Sequence, residues 1–551
     1  MGFRARGRVH TAVSQYTQAE SGGSGRRPPG LDDGGSIGHG SMSDADTLLW
    51  TIRRDPRLRS PITAVIRLAS MPDMERLVDR LEGLTHDEPR LRSKVAGAGL
   101  LSRNPRWVED PAFDLGNHLT RVAAPAPGTF DTVLDIASRM SMVDFDVEFP
   151  LWEATIVEGV EGSGAAIVVK VHHAVIDGVG GIGLFGRLLD IEPDPSGVDP
   201  GRKGSGGPDA TGGSPGLPGE EPAGPGAVPA SPASANSGGL ERIVRAVTNG
   251  LARVAVPAER AVTTLAAYPL TTLRSLASTA SSAVRLVAPA PTPVSPLLGA
   301  RGLHRQLGVF EVSFSDLHDA ALANDCSIND IFVTGILGGM RTYHEAHGVR
   351  VDHLRTLMPI SIRDEDDGLT GNRFVPARIV LPLEIVDPRH RLRRVRELTG
   401  SWKRDPALSL SDVLAGVLTR LPAAVTTATF GSMLLGVDVV ATNVPGPRFT
   451  TWIAGAEVEH FYAFAPTSGA AANIALTTFD QAACFGVNID SASIPDGEVL
   501  LSCLEDGIAE VLAASGGGER AHPAGSVTSA GGVERLRSVV RIDPGPRAAA
   551  G

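Results

Sequence analysis

The chain has few cysteines, few aromatic residues and no long apolar run. Its three cysteines, Cys326, Cys484 and Cys503, are widely spaced and odd in number, which fits neither a disulfide framework nor a zinc motif. No stretch of about 18 uncharged apolar residues occurs, so we predict no transmembrane helix. The N-terminus contains arginine and glycine but lacks the apolar core of a secretory signal. We therefore expect a cytoplasmic protein in a reducing compartment.

An excess of basic charge is also missing. The chain has 51 Lys and Arg against 62 Asp and Glu, which gives a net charge of −11. Non-specific nucleic-acid binding needs a basic face, so we do not expect a nucleic-acid partner.

One segment departs from this acidic average. Residues 240–290 carry six Arg against two Glu, a local charge of +4, and Ile243, Val247, Leu251 and Val254 recur at helical spacing. We interpret 240–298 as a basic amphipathic helical segment. It either packs on the globular part or rests on a membrane or lipid-droplet surface, where the protein would be peripheral at the inner face of the plasma membrane.

The chain is too long for one compact core, and its composition divides it into segments. Gly (64 residues) and Pro (40 residues) concentrate where large apolar residues nearly vanish. Such stretches bury too little surface to offset their ordering entropy, so we interpret them as disordered. The predicted segments are 1–41 (disordered extension, or sequence upstream of a start at Met42), 42–192 (N-terminal subdomain), 193–239 (disordered linker), 240–298 (basic segment), 299–512 (C-terminal subdomain) and 513–551 (disordered tail).

Apolar periodicity predicts the main elements of the two subdomains. Leu77, Leu81 and Leu84 recur at three- and four-residue steps, which predicts a helix after the first strand. The least polar window, 421–442, predicts a buried helix followed by a strand. A further helix is predicted over 327–347, capped at Ser327 or Asn329, and strands are predicted at 62–68, 154–157, 165–171, 374–383, 437–442, 472–478 and 484–489.

The segment that indicates chemistry is 171–178, Val-His-His-Ala-Val-Ile-Asp-Gly, between an apolar strand and an apolar helix. Adjacent residues at a strand end point to opposite faces, so only one of His172 and His173 can face a given cleft. Asp177 lies four residues after His173, across a turn that Gly178 permits, and can orient the loop or the imidazole. A histidine near its ordinary pKa of about 6.5 can accept a proton at physiological pH. From these residues alone, the histidines are either a catalytic base with its neighbour or a structural pair. A zinc site would need a third ligand, and none occurs at a suggestive spacing.

Several motifs, in order along the chain, resemble those of one family. The segment 171–178 is similar to the active-site motif of the wax ester synthase/diacylglycerol acyltransferase family, which belongs to a superfamily with chloramphenicol acetyltransferase, condensation domains and carnitine acyltransferases. The resemblance spans about 43–512. The supporting segments are Pro150-Leu151-Trp152-Glu153, Ser327-Ile328-Asn329-Asp330, Met358-Pro359-Ile360-Ser361-Ile362-Arg363 with Gly371-Asn372, Thr442-Asn443-Val444-Pro445-Gly446-Pro447, and Pro495-Asp496. The opening segment, Met42–Asp46, departs from the family's more apolar N-terminal motif.

The resemblance implies an α/β fold. It has two chloramphenicol acetyltransferase-like subdomains, each a mixed sheet flanked by helices, which meet around a central tunnel. It also implies an acyl-CoA-dependent O-acyltransferase that forms triacylglycerol from diacylglycerol, or a wax ester from a long-chain alcohol, with release of CoA. Acyl-CoA is then a co-substrate, and no cofactor or metal is expected.

The resemblance also assigns roles to residues. His173 would be the general base, while His172 and Gly178 would support the motif. Asp177 would be structural and would pair with an arginine, for which Arg363 is a candidate. The remaining candidate oxyanion or tunnel residues are Asn443, Thr442, Asn329 and Asp330, of which the last two are alternatively simple helix caps.

Two other functions are compatible with the histidine motif. One is a condensation-like acyltransferase that acts on a polyketide, a sugar or a carrier-bound acyl group. The other is a non-catalytic lipid-binding or droplet-coating protein. The segments at 150–152, 329–330 and 443–447 favour the lipid enzyme over the first, and the complete motif from His173 to Gly178 argues against the second.

Overall fold

The computed structural model describes residues 40, 42–97, 105–193, 292–361, 372, 374–403, 419, 423–516 and 538–539. The predicted disordered extension, linker and tail and the basic segment lie largely or wholly outside the described residues, so these assignments stay predictions, as does association with a membrane or droplet. Within the described part of the chain, no helix combines the length and the apolar character that a membrane span requires.

Nine helices lie in the described residues, together with short 3₁₀ turns. They are α1 (Asp44–Ile52), α2 (Met74–Asp87), α3 (Phe130–Met142), α4 (Gly178–Gly186), α5 (Phe314–Ala323), α6 (Ile328–Ala346), α7 (Pro388–Lys403), α8 (Ala423–Leu434) and α9 (Gly497–Ala514).

The strands of the N-terminal half are β1 (Pro61–Leu68), β2 (Ser93–Ala96), β3 (Arg106–Glu109), β4 (Leu119–Ala123), β5 (Trp152–Val160) and β6 (Gly164–His172). Those of the C-terminal half are β7 (Arg305–Ser313), β8 (His353–Ser361), β9 (Phe374–Pro382), β10 (Val439–Val444), β11 (Trp452–Ile453), β12 (Ala456–Phe464), β13 (Ala472–Phe479), β14 (Ala482–Asp490) and β15 (Ser538–Val539).

Side-chain caps explain where several helices begin. Ser43 accepts a hydrogen bond from the backbone N–H of Asp46 at 3.0 Å, which starts α1. At α6, the hydroxyl of Ser327 accepts from the N–H of Asp330 at 3.2 Å, and the Asp330 carboxylate accepts from the N–H of Ser327 at 3.0 Å. This reciprocal pair satisfies two backbone donors at the first turn of α6. The helix predicted over 327–347 is therefore confirmed, with Ser327 as its N-cap.

The first sheet combines strands from both halves of the chain, in the order β11-β12-β1-β6-β5-β4. Strand β1 pairs antiparallel with β6 on one side and with β12 on the other, in a register that places Val65 opposite Tyr462. Residues 452–464 belong to the predicted C-terminal subdomain, yet they complete the N-terminal sheet. The two halves are therefore joined through continuous backbone hydrogen bonds.

The second sheet has the order β15-β7-β14-β13-β10-β8-β9. Strand β10 runs parallel to both β13 and β8, whereas the remaining pairs are antiparallel. Helices α6 and α9 pack together against this sheet, and their glycines permit a close approach. A Cβ added to Gly339 would lie 2.5 Å from the backbone oxygen of Cys503. The mixed sheets and flanking helices confirm the predicted α/β class.

The two faces of the first sheet have different partners. The ring of Phe130, on α3, lies 5.7 Å from that of Tyr462, so α3 covers the face that carries Val65 and Tyr462. By the alternation of a strand, the neighbouring residues Ile66 and Phe461 point to the other face, where they line a cavity. One face of the sheet is thus packed solid, while the other leaves space beside the histidine motif.

Candidate active site

The histidine motif forms the turn between a strand and a helix. Strand β6 ends at His172, and α4 begins at Gly178, where the carboxylate of Asp177 accepts from the N–H of Gly180 at 2.8 Å. A Cβ added to Gly178 would lie 3.0 Å from a methyl group of Val444 on β10. The motif glycine therefore lets the turn from the N-terminal half approach a strand from the C-terminal half. Arg363, the candidate partner of Asp177, lies outside the described residues.

The two histidines have separate environments. His172 is 2% exposed, and its ring makes edge contacts with Trp50 at 5.8 Å and Phe145 at 5.9 Å. Its Nδ1 accepts a hydrogen bond from the N–H of Ala174 at 3.0 Å. Burial lowers the pKa of His172 to about 3, with Arg53 as a smaller cause. His172 is therefore a neutral, packed side chain at physiological pH.

His173 is half-buried and forms part of the cavity wall. Its N–H donates to the carbonyl of Ser60 at 2.9 Å, which fixes the backbone of the turn. Its Nδ1 lies 2.7 Å from Oδ1 of Asn372. Burial lowers the pKa of His173, against the opposing effects of a hydrogen bond to its own backbone carbonyl, of Asn372 and of the carboxylates of Asp177 and Asp46. The imidazole is therefore neutral, and able to accept a proton, at physiological pH.

A buried polar cluster lies behind His173. The amide nitrogen of Asn372 donates to the His173 carbonyl at 2.6 Å and to Oδ1 of Asp46 at 2.8 Å. The other oxygen of Asp46 accepts from Arg90 at 3.2 Å, and Arg90 lies over the ring of Trp107. Asn372 occurs in a segment that resembles a family motif, but no pattern in the sequence connects it with Asp46, 326 positions earlier.

The cavity beside His173 has a volume of about 280 Å³. Apolar side chains form most of its wall: Ile62, Ala64 and Ile66 from β1, Val169 and Val171 from β6, Leu77, Leu81 and Leu84 from α2, and Ile182 and Phe185 from α4. The C-terminal half closes it with Leu357, Pro359, Pro376, Val440, Asn473 and Ala475, among others. The cavity therefore lies where the two halves meet, as the predicted tunnel would.

Two of the four candidate oxyanion or tunnel residues line this cavity. Thr442 and Asn443, at the end of β10, both contribute to the wall that holds His173. After them the chain turns away at Gly446, where an added Cβ would lie 2.4 Å from the carbonyl oxygen of Thr478. The proline- and glycine-rich turn thus passes so close to β13 that a side chain cannot be accommodated without movement.

The other two candidates have a different location. Asn329 and Asp330 are absent from the described residues that line the cavity. Asp330 caps α6 and also accepts from the hydroxyl of Thr399 at 2.8 Å. Capping of α6 therefore accounts for the Asp330 carboxylate, as the alternative interpretation predicts, and a tunnel role for Asn329 and Asp330 stays a prediction.

A possible metal-ligand set occurs elsewhere in the described residues. Donor atoms of Glu311, His460 and Cys484 lie within 4.8 Å of one another. Nδ1 of His460 lies 3.0 Å from a carboxylate oxygen of Glu311, and burial raises the pKa of the Cys484 thiol far above its ordinary value. A thiol with so high a pKa is a poor metal ligand, and the cluster does not line the cavity.

The chain belongs to the wax ester synthase/diacylglycerol acyltransferase family. Residues 42–332 match the model of the wax ester synthase/diacylglycerol acyltransferase catalytic domain, and residues 370–511 match that of the C-terminal domain of the same family. The protein is therefore an acyltransferase of this type, as the ordered motifs predict.

Curated relatives agree over most of the chain. A protein of Mycobacterium tuberculosis (strain CDC 1551 / Oshkosh), named "Putative diacyglycerol O-acyltransferase", is 33% identical over 476 residues, which are 86% of this chain and 92% of the relative. Another from the same strain, named "Probable diacyglycerol O-acyltransferase tgs1", is 27% identical over 456 residues, which are 81% of this chain and 89% of the relative.

Solved structures show the same fold. The wax ester synthase/diacylglycerol acyltransferase from Marinobacter aquaeolei VT8 superposes with a TM-score of 0.54 at 19% identity, over 87% of this chain and 100% of that one. The first condensation domain of the calcium-dependent antibiotic synthetase, in complex with a substrate analogue, gives 0.51 at 15% identity, over 87% of this chain and 97% of that one. The predicted chloramphenicol acetyltransferase-like architecture is confirmed.

Proposed function

We propose that this acyltransferase transfers a long-chain acyl group from acyl-CoA to the hydroxyl of diacylglycerol or of a long-chain alcohol. The observation that carries the proposal is the position of His173. A neutral imidazole lies in the wall of an apolar cavity, together with Thr442 and Asn443 from the opposite half. An apolar cavity accommodates an acyl chain, and the imidazole supplies a base at the point where the halves meet.

The proposed reaction is general-base catalysis without an acyl-enzyme. His173 takes the hydroxyl proton of the acceptor while the acceptor oxygen attacks the thioester carbonyl. The resulting tetrahedral oxyanion needs a hydrogen-bond donor, and Asn443 or Thr442 supplies it. When the carbon–sulfur bond breaks, the imidazolium returns its proton to the thiolate, which leaves as free CoA.

The shape of the wall supports a lipid substrate. The cavity extends from His173 along β1 and β6, beneath α2 and α4, and this part of its lining is almost entirely aliphatic. Burying an acyl chain there contributes about 0.8 kcal/mol per methylene group. A wall of this kind also keeps water from the thioester, which would otherwise be hydrolysed.

The test is the His173→Ala variant. Turnover of labelled palmitoyl-CoA should fall on the order of 10²–10⁴-fold with either diacylglycerol or hexadecanol as acceptor. Free-thiol release with each acceptor in the wild type shows which alcohol the enzyme prefers. Asn324→Ala is a control, because Asn324 is the C-cap of α5 and does not line the cavity. Unchanged turnover in a folded His173→Ala protein would remove the assignment of the base.

A further inference from the structure

Asn372 connects the cavity histidine to a buried ion pair. Its Oδ1 lies 2.7 Å from Nδ1 of His173, and its Nδ2 lies 2.6 Å from the His173 carbonyl and 2.8 Å from Oδ1 of Asp46. Asn372 is 7% exposed and Asp46 is fully buried. Every polar atom of this amide therefore has a partner in protein, and water does not compete for it.

These contacts determine which way the amide points. A backbone carbonyl can only accept, so the atom of Asn372 that faces the His173 carbonyl must be the NH₂ group. The second hydrogen of that group is directed at the Asp46 carboxylate. The amide oxygen is then the atom that faces His173, and because it only accepts, Nδ1 of the imidazole must carry a hydrogen.

We propose that Asn372 is a positioning residue that holds His173 in its Nδ1–H tautomer and leaves Nε2 as the proton acceptor. This inference rests on the proposed role of His173 as a base. Asparagine does here what the carboxylate does in a Ser-His-Asp triad, since it fixes the tautomer and the orientation of the ring through its other nitrogen.

Asp46 and Arg90 hold the asparagine in place. The carboxylate of Asp46 accepts from Asn372 and from Arg90 at 3.2 Å. Burial raises the pKa of Asp46, and Arg90 followed by Asn372 opposes that rise. The cluster places a carboxylate one hydrogen-bonded amide away from the imidazole. It thereby stabilises the imidazolium less strongly than direct contact would, and keeps the base neutral near pH 7.

The location of Asn372 gives this contact a second consequence. Asp46 and His173 belong to the N-terminal half, whereas Asn372 belongs to the C-terminal half, 199 residues after His173. Its amide bonds to both at the junction of the halves. The base is therefore oriented only when the halves are correctly docked.

The direct test is the protonation of the ring. In ¹⁵N-histidine NMR spectra of the full chain at pH 8, the signals that disappear in His173→Ala belong to His173. We expect Nδ1 of that ring to be protonated in the wild type. In Asn372→Ala we expect a larger share of the Nε2–H tautomer, because the Asn372 amide oxygen, at 2.7 Å from Nδ1, is gone while the backbone carbonyl of His173 itself remains as an acceptor.

Kinetics supply the second readout. Asn372→Ala should lower kcat on the order of 10²-fold or more with little change in KM for palmitoyl-CoA, since the wrong tautomer impairs the chemical step. The isosteric Asp46→Asn, less disruptive to folding, should move the acidic limb of the kcat–pH profile to lower pH, because it removes a charge that raises the pKa of His173. The other titratable groups near this ring, Asp177 and His172, are unchanged in these variants.

Asp490→Asn is the matched control for Asp46→Asn. Asp490 is also a buried carboxylate, 1% exposed and paired with Arg305 at 3.4 Å, but it is absent from the cavity wall. We expect this variant to lose stability without a shift of the pH profile. A purely structural role for the cluster would make Asp46→Asn and Asp490→Asn behave alike.

The outcomes separate the two proposals. If Asn372→Ala keeps the wild-type tautomer and kcat while His173→Ala is inactive, the positioning role is refuted and the base stands. If His173→Ala retains full turnover, the proposed function fails, and the NMR measurement alone still decides whether Asn372 sets the tautomer.

Discussion

His172 should make the stability of this protein depend strongly on pH between pH 7.5 and pH 5. Its pKa is about 3 in the folded protein and about 6.5 in an unfolded chain, so the unfolded state binds a proton that the folded state rejects. Stability therefore rises with pH through this window and is lost as the pH falls below 6.5. Because pH 5 lies about 1.5 units below the pKa of the unfolded-state histidine, protonation stabilises the unfolded state by about 2 kcal/mol at that pH.

The experiment compares urea unfolding of the wild type and of His172→Asn at pH 7.5 and pH 5. Asparagine keeps an oxygen near the position of Nδ1 that can accept from the N–H of Ala174 at 3.0 Å, but it does not titrate in this range. The variant loses packing against Trp50 and Phe145, and we expect it to be about 1–3 kcal/mol less stable at pH 7.5. Between the two pH values, however, it should lose about 2 kcal/mol less than the wild type.

The comparison isolates one side chain because every other titrating group is common to both proteins. His304→Asn, at an exposed position, controls for the loss of one histidine without a change in the core. Equal losses of stability in the wild type and in His172→Asn would refute the reasoning. That result would mean that His172 accepts a proton in the folded protein, and that the packing around its ring is looser than described.

Other predictions concern the turn, the second core and the cavity. Gly446→Ala should destabilise the protein by about 1–3 kcal/mol in thermal unfolding, because the new Cβ meets the carbonyl of Thr478 at 2.4 Å. Arg391→Ala should cost about 3–5 kcal/mol in urea unfolding, since Arg391 is fully buried and bonds to Glu510 at 2.8 Å; an unchanged KM would show that its role is structural. Asn443→Ala should lower kcat on the order of 10²–10³-fold if its amide stabilises the oxyanion, and no change would leave that role to Thr442 or backbone N–H groups.

The sequence predicts those helices and strands that depend on residues close together in the chain. The continuous apolar run at 165–171 predicts a strand and forms β6. The helix and the strand that are predicted within 421–442 are confirmed as α8 and β10. Ser327 begins α6 because a hydroxyl and a carboxylate three residues apart cap a helix wherever they occur. Strand β12, by contrast, is absent from the strands predicted above, although its apolar residues alternate. Its partner β1 lies almost 400 residues earlier, and pairing over that distance leaves no mark in a short window.

In the candidate site, too, local features could be predicted from the sequence, whereas long-range contacts could not. Two adjacent histidines at a strand end had to face opposite ways, and the structure places one in a packed core and the other on the cavity wall. The role of Asn372 beside His173 could not be predicted from the sequence, because the residues next to it along the chain say nothing about Asp46 or His173. The hydrogen bonds among these three residues arise from the docking of the halves.

The shared first sheet has a consequence for synthesis on the ribosome. Strand β1 ends at Leu68, and its partner β12 ends at Phe464, so 464 − 68 = 396 residues separate them. At translation rates of about 5–20 residues per second, the outer edge of β1 waits about 20–80 s for its neighbour. Throughout that time a row of unpaired backbone groups is open to strands of other nascent chains. The enzyme must therefore carry an incomplete sheet for most of its synthesis, and its yield in a cell should depend on holdase chaperones that occupy that edge.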